Sequence, residues 1–154
     1  MSFWFLVFSW ERLKHLNNYS VSALVNGMKR SLIREESYSF ALNIIWLYRC
    51  LVSRNEFVIS KQVLKSGTSI GANVEEALAG QSRADFLSKM SIASKEARET
   101  NYWLRLLRDS GLSLEGEVLE ILTESERILK MLTAIVKTTT LGNESKNQKL
   151  KTKN

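Results

Sequence analysis

The 154-residue sequence contains no proline. Proline locks φ, removes a backbone donor and breaks helices, so a long chain without it, and with only seven glycines, leaves room for long uninterrupted helices. Turn residues gather in two clusters, Gly80-Gln81-Ser82 and Ser110-Gly111-Leu112-Ser113, with a further break at Arg54-Asn55-Glu56-Phe57. Between these breaks apolar residues recur at spacings of three and four, the pattern of helices with a buried face. The chain is therefore expected to be all-α, with four amphipathic helices joined by short loops. Such loops place consecutive helices antiparallel, in an up-down-up-down four-helix bundle.

The hairpin from Ser69 to Leu107 organises the rest. Ala77, Leu78 and Ala79 are good helix formers, and Gly80 after them suits a left-handed helix end. Ser82, with Asp85 three residues on, reads as the cap of a helix running from about Ala84 to Asp109. Phe86, Met90, Ala93, Ala97, Leu104 and Leu107 share one face of it. Ile92, Glu96, Glu99, Trp103 and Leu106 form a neighbouring stripe. Two apolar stripes exceed what one partner helix covers, so the helix either has bundle neighbours on both sides or gives one stripe to an oligomer contact.

The preceding helix is expected to be capped by Ser60, with Val63, Leu64, Gly67, Ile70, Gly71, Val74 and Leu78 as its core positions. Gly67 and Gly71 each cost about 1 kcal/mol against alanine in a helix interior. Close approach of a neighbouring helix offsets that cost; the alternative is a helix that is simply weak there. The first core helix is expected to start near Glu36-Ser37 and to end near Ser53. Phe40, Ile44, Leu47 and Leu51 mark one seam, and Ala41, Ile45, Tyr48 and Val52 a second. Gly111 stops the third helix in a left-handed conformation, and Ser113 caps a fourth that runs to near Thr140 through Leu114, Val118, Ile121, Ser125, Ile128, Leu132 and Ile135. Its first half is acidic and its second half basic, which suits the helix dipole.

Charge divides the chain as the periodicity does. The net charge of +6 lies at the two ends, +3 in residues 1–30 and +3 in residues 141–154, while 31–140 holds 14 basic and 14 acidic residues. The domain reading is accordingly an extension at 1–30, a bundle at 31–140 and a disordered basic tail at 141–154. Phe3 to Phe8 is apolar but far shorter than the roughly 20 residues of a membrane span. It reads as an interfacial anchor with Trp4 and Trp10, as an added core helix, or as sequence upstream of a natural start at Met28; the last is favoured. The single cysteine, Cys50, points to a reducing, cytoplasmic setting, and with His15 as the only histidine there is no His/Cys cluster for zinc.

Four segments together resemble a known family: Ser69-Ile70-Gly71-Ala72-Asn73, Gln81-Ser82-Arg83-Ala84-Asp85-Phe86, Lys95-Glu96-Ala97-Arg98-Glu99-Thr100 and Tyr102-Trp103-Leu104. They are similar to the bacterial four-helix-bundle proteins, also called the 23S rRNA intervening-sequence proteins, over roughly Lys29 to Thr139. The resemblance implies a small protein often encoded by an insertion in a 23S rRNA gene, assembled as a ring-shaped homopentamer and without a characterised enzymatic activity. A distant branch holds the accessory protein of diversity-generating retroelements, which binds a reverse transcriptase and nucleic acid. That branch lacks the Ser-Ile-Gly-Ala-Asn segment.

No residue set reads as catalytic, no cofactor or metal motif is present, and no small-molecule substrate is indicated. Gly67 to Gly71 lacks the Gly-Lys-Ser/Thr ending of a phosphate loop. Glu96 and Glu99 are candidates for general acid and base or for metal ligands, but a partly buried polar network with Asn73 and Arg83, or with Arg49, is the expected role. Tyr102 and Trp103 stack on unpaired bases in one reading and serve as core or interface residues in the favoured one. Lys95, Arg98 and Arg105 line one exposed stripe of the third helix, with Lys95 and Glu99 expected to pair. With Lys146, Lys149, Lys151 and Lys153 of the tail they are the candidate nucleic-acid contacts, repeated by any ring. The expected function is a non-enzymatic oligomeric module that binds RNA or a ribonucleoprotein. The alternative is a structural or protein-interaction scaffold with no nucleic-acid affinity.

Overall fold

In the computed structural model the backbone is described for residues 18–111 and 115–151, and side chains within 32–111 and 116–142. The described residues form four helices: α1 (Asn18–Ser53), α2 (Ile59–Ala79), α3 (Arg83–Asp109) and α4 (Glu115–Lys151). No strand occurs among them, and none of these helices is long and apolar enough to cross a membrane. The chain separates into two compact units, residues 1–32 and 33–154. In the first, the described residues from Asn18 onward are helical. The apolar run at Phe3–Phe8, His15 and the Ser113 cap lie outside the described residues, as do Lys153 and the side chains of Lys146, Lys149 and Lys151.

The buried face of each helix in the second unit follows from its spacing. Phe40, Ile44, Leu47 and Leu51 of α1 are at most 1% exposed, and Ile33 extends their seam by two turns. Val63, Ile70, Val74 and Ala77 face them from α2, Phe86, Met90, Ala93, Ala97, Leu104 and Leu107 from α3, and Val118, Ile121, Leu122, Ile128 and Leu132 from α4. Burying each large side chain of this kind is worth about 1.5–3 kcal/mol. The second α1 seam, Ala41, Ile45, Tyr48 and Val52, is only half-buried, as are Leu64, Gly71 and Leu78 of α2.

Cross-helix contacts set the register. Arg34 Nε meets Glu75 Oε1 at 2.7 Å. A Cβ on Gly71 would stand 3.4 Å from the Ser37 carbonyl oxygen, and one on Gly67 would stand 2.8 Å from Ile44 Cγ1. Thus α1 lies against the small face of α2. Glu76 pairs with Lys89 between α2 and α3. Arg127 Nη2 reaches Glu36 at 2.5 Å, and Asn43 Nδ2 donates to Glu124 Oε2 at 2.9 Å, both between α4 and α1. The Ser125 hydroxyl is buried in α4 with no hydrogen-bond partner among the described residues.

Several helix ends differ from the sequence reading. α1 begins at Asn18 rather than near Glu36, since neither proline nor a strong turn interrupts it and Gly27 alone is a weak break. It ends with Asn55 at φ +63°, where Glu56 N–H donates to the Leu51 carbonyl and Asn55 N–H to that of Val52, each at 3.0 Å. This is the Schellman arrangement with asparagine in the left-handed position. Ser60 does not cap α2: it lies inside the helix and donates its hydroxyl to the Glu56 carbonyl. The cap is the Glu56 carboxylate, which accepts the N–H groups of Val58, Ile59 and Ser60 at 3.0, 2.8 and 2.6 Å.

Partial burial alone would raise the Glu56 pKa, but these three N–H donors and the Ser60 hydroxyl outweigh it and hold the carboxyl below its ordinary 4.5. A depressed acid stabilises the fold above its unfolded value and loses that contribution as pH falls through the folded value. Glu56→Ala is therefore expected to cost about 1 kcal/mol at pH 7. The gap between variant and wild-type melting temperatures should close as pH drops below the ordinary carboxylate range; a gap of constant size would contradict the capping role.

Gly80 is extended (φ −61°, ψ 137°), not left-handed. Its small size matters through proximity, since a Cβ there would come 3.1 Å from the Ala77 carbonyl oxygen and 3.4 Å from Asp85 Cβ. Ser82 caps α3 as its spacing predicts: its hydroxyl oxygen accepts Asp85 N–H at 3.0 Å and its O–H donates to the Asp85 carboxylate at 2.6 Å. Gly111 follows α3 at φ +67°, as expected. α4 runs past Thr140 to Lys151, where the sequence reading has a disordered tail. Glu144 to Lys151 consists mostly of adequate helix formers, and Gly142 serves as a seat rather than a stop, with the Arg83 guanidinium packed on it where a side chain would clash.

Candidate functional site

The helix α3 carries most of the candidate residues, and its core face fixes where they point. At 100° per residue, Lys95 and Tyr102 stand opposite Met90, Ala93, Ala97 and Leu104, with Arg98 and Arg105 on the flank beside them. All four are exposed, Tyr102 by 48%. None of the three cations forms an ion pair within 4 Å among the described residues, although Arg105 helps Arg108 hold the Asp109 carboxyl below its ordinary value, the Arg108 hydrogen bond being the larger cause. The expected Lys95–Glu99 pair does not form. Glu99 Oε1 instead accepts from Trp103 Nε1 at 3.2 Å. Trp103 is half-buried against the core, and Tyr102 meets its ring edge-on with centroids 5.1 Å apart. Tyr102 is thus not a core residue of the protomer, which leaves the interface and base-stacking readings of it, and its outer surface is open beside three cations.

Asn73, Arg83, Glu96 and Glu99 do not form one polar network. Asn73 Nδ2 donates to the Ser69 carbonyl of its own helix at 2.9 Å. Arg83 Nη2 donates to the Thr139 carbonyl of α4 at 2.9 Å. Arg83 begins α3 and lies thirteen residues before Glu96, about 20 Å along the axis, so they cannot meet. Glu96 and Glu99 do come together. Burial raises the Glu96 pKa above its ordinary 4.5, repulsion from Glu99 adds to the rise, and Lys65 of α2 opposes it. Arg49 lies exposed on α1 and pairs with neither. No three of His, Cys, Asp and Glu converge among the described residues.

The sequence reading overlooks two features. The outer face of α1 carries Tyr38, Leu42 and Trp46, exposed by 66%, 52% and 44%; their spacing of four, offset from both seams, was the available signal. Beside it a shallow groove of about 190 Å³ runs over Gly71 between α1 and α2, with Arg34, Glu75 and Thr68 at its rim. It is small for a ligand site.

Three comparisons bear on what this arrangement serves. A family model described as 23S rRNA-intervening sequence protein matches residues 29–134. Among solved structures, the chain is similar to a protein with unknown function from the S23 ribosomal protein family of Bacteroides thetaiotaomicron. The two are 47% identical with a TM-score of 0.68, over 71% of this chain and 98% of that one. No curated protein matches the chain.

Proposed function

The chain belongs to the 23S rRNA-intervening sequence protein family, and from that premise we propose a non-enzymatic, self-associating helical bundle that binds RNA or a ribonucleoprotein through the outer face of α3. The observation that carries this reading is the alignment of Lys95, Arg98 and Arg105 with the exposed ring of Tyr102, all turned away from the core. Cations there meet phosphates and the ring stacks on an unpaired base, the combination single strands require. This face concentrates three cations, none of them in an ion pair within 4 Å among the described residues.

We take the protomer to be an up-down-up-down bundle. Opposed registers support it: Arg34 with Glu75 but Ile44 with Gly67, and Arg83 with Thr139 but Arg108 near Glu126. Assembly into a closed ring, a homopentamer by analogy with the family, would repeat the cationic face and multiply weak contacts. A scaffold that binds only protein is the second reading, favoured by the exposed apolar face of α1.

The test uses the full chain and an unpaired oligoribonucleotide across a salt series. Replacing Lys95, Arg98 and Arg105 together by glutamine is expected to weaken binding at least tenfold and to reduce the slope of log affinity against log salt by about 2, at roughly 0.7 per lost phosphate contact. An unchanged slope would move the contact to the lysines beyond Gly142. No binding by the wild-type chain at low salt would leave the protein-binding scaffold.

A further inference from the structure

Two outward surfaces of the protomer carry complementary groups, an exposed guanidinium beside apolar side chains on one and a pair of carboxylates on the other. On α1, Leu42 and Trp46 are 52% and 44% exposed one turn apart, on the side of the helix turned away from Phe40, Ile44 and Leu47. Arg49 continues that face, exposed and without an ion pair among the described residues. Glu35 is the acid of the same face, about 20 Å from Arg49 at 1.5 Å per residue. On α3, Glu96 and Glu99 stand on a half-buried apolar stripe next to Trp103, with no ion pair within 4 Å among the described residues and Lys65 acting on Glu96 only from farther off. Partial loss of water already raises the Glu96 carboxyl, and Glu99 raises it further. Two acids held together on such a stripe gain most from a guanidinium, which offers a planar fork of donors and is weakly hydrated.

We propose that these surfaces are the two halves of one head-to-tail contact between copies of this chain: Leu42 and Trp46 of one copy cover Trp103 of the next, and Arg49 lies over the Glu96–Glu99 pair. The proposal rests on the self-association proposed above and adds the faces that make it. The alternatives within a homo-oligomer are face to like face. Pairing α3 stripes about a two-fold axis would bring Glu96 and Glu99 against their own copies, concentrating four carboxylates on a drying surface. Pairing α1 faces would leave the acid pair of α3 uncovered. Unlike faces satisfy both surfaces at once, and a contact between unlike faces propagates from copy to copy until it closes as a ring or continues as a filament.

Charge reversal tests the pairing on the full chain. The mass in solution is followed by light scattering, and helicity by circular dichroism. Arg49→Glu and Glu99→Arg, both at exposed positions, are each expected to retain helicity while the assembly falls toward the 17.6 kDa of one chain. Combining both reversals in one chain restores opposite charges across every contact and is expected to restore the assembly. If wild type and both single variants assemble alike, the contact lies elsewhere and self-association stands. If the single variants dissociate but the double variant stays dissociated, the Arg49–acid pairing is overturned. A wild-type chain that is monomeric at every concentration removes self-association and this contact together.

Discussion

Gly67→Val is expected to lower stability by about 3 kcal/mol, and the melting temperature by about 10 °C. Gly67 is buried in α2 directly under Ile44. A Cβ there would come 2.8 Å from Ile44 Cγ1 and 2.9 Å from Cγ2. Because both branches of Ile44 are already in contact, rotating χ1 exchanges one clash for the other, and the helices must separate instead. Gly67→Ala meets the same Cβ contacts while gaining about 1 kcal/mol of helix propensity, so its net loss should be smaller, near 1 kcal/mol. The check is a double-mutant cycle with Ile44→Ala, which makes room for the new methyl: the pair should couple by more than about 1 kcal/mol. Additivity would show that Gly67 acts through backbone entropy alone. Gly71→Ala provides a contrast four residues on. Its Cβ would stand 3.4 Å from the Ser37 carbonyl, an ordinary contact, so that substitution should be neutral or stabilising by up to about 1 kcal/mol.

Phe40→Ala should be costlier still, about 3–5 kcal/mol by chemical denaturation. Phe40 is 1% exposed and is the largest of the fully buried side chains. Its removal loses the transfer free energy of the ring and leaves a cavity that four helices can only partly close. Ser39→Ala, one residue away on the exposed side, should stay within about 0.5 kcal/mol. A small effect of Phe40→Ala would mean that α1 is not clamped into the core as its burial indicates.

The sequence carries the helices and their inner faces more fully than their ends. Phe40, Ile44, Leu47 and Leu51, or Phe86, Met90, Ala93 and Ala97, repeat at spacings only a helix brings together, so their burial is readable without coordinates. Ser82 with Asp85 is equally local. Glu56 was not legible as a cap, because a carboxylate two to four residues before the N–H groups it accepts competes with a serine that looks better placed. Nor was the role of Gly142, which depends on Arg83 arriving from 59 residues earlier in the chain. For the candidate site, the outward direction of Lys95, Arg98 and Arg105 follows from the position of the core. The polar network fails because Arg83 is too far along α3 and Asn73 bonds within its own helix, and Glu99 takes its hydrogen bond from Trp103 Nε1 rather than from Lys95.

The order of the contacts around the core also bears on how the chain folds. Helices α2 and α3 are joined by three residues, Gly80 to Ser82, so their packing closes only a short loop. Such local contacts form early and fast. The hydrogen bond between Asn43 and Glu124 spans 81 residues of sequence, and with Arg127–Glu36 it seals α1 to α4. Sealing that seam orders the longest stretch of chain, so it should close last during folding and open first during unfolding. The route into and out of the native state is thus written in the sequence separation of two polar contacts between the first helix and the fourth.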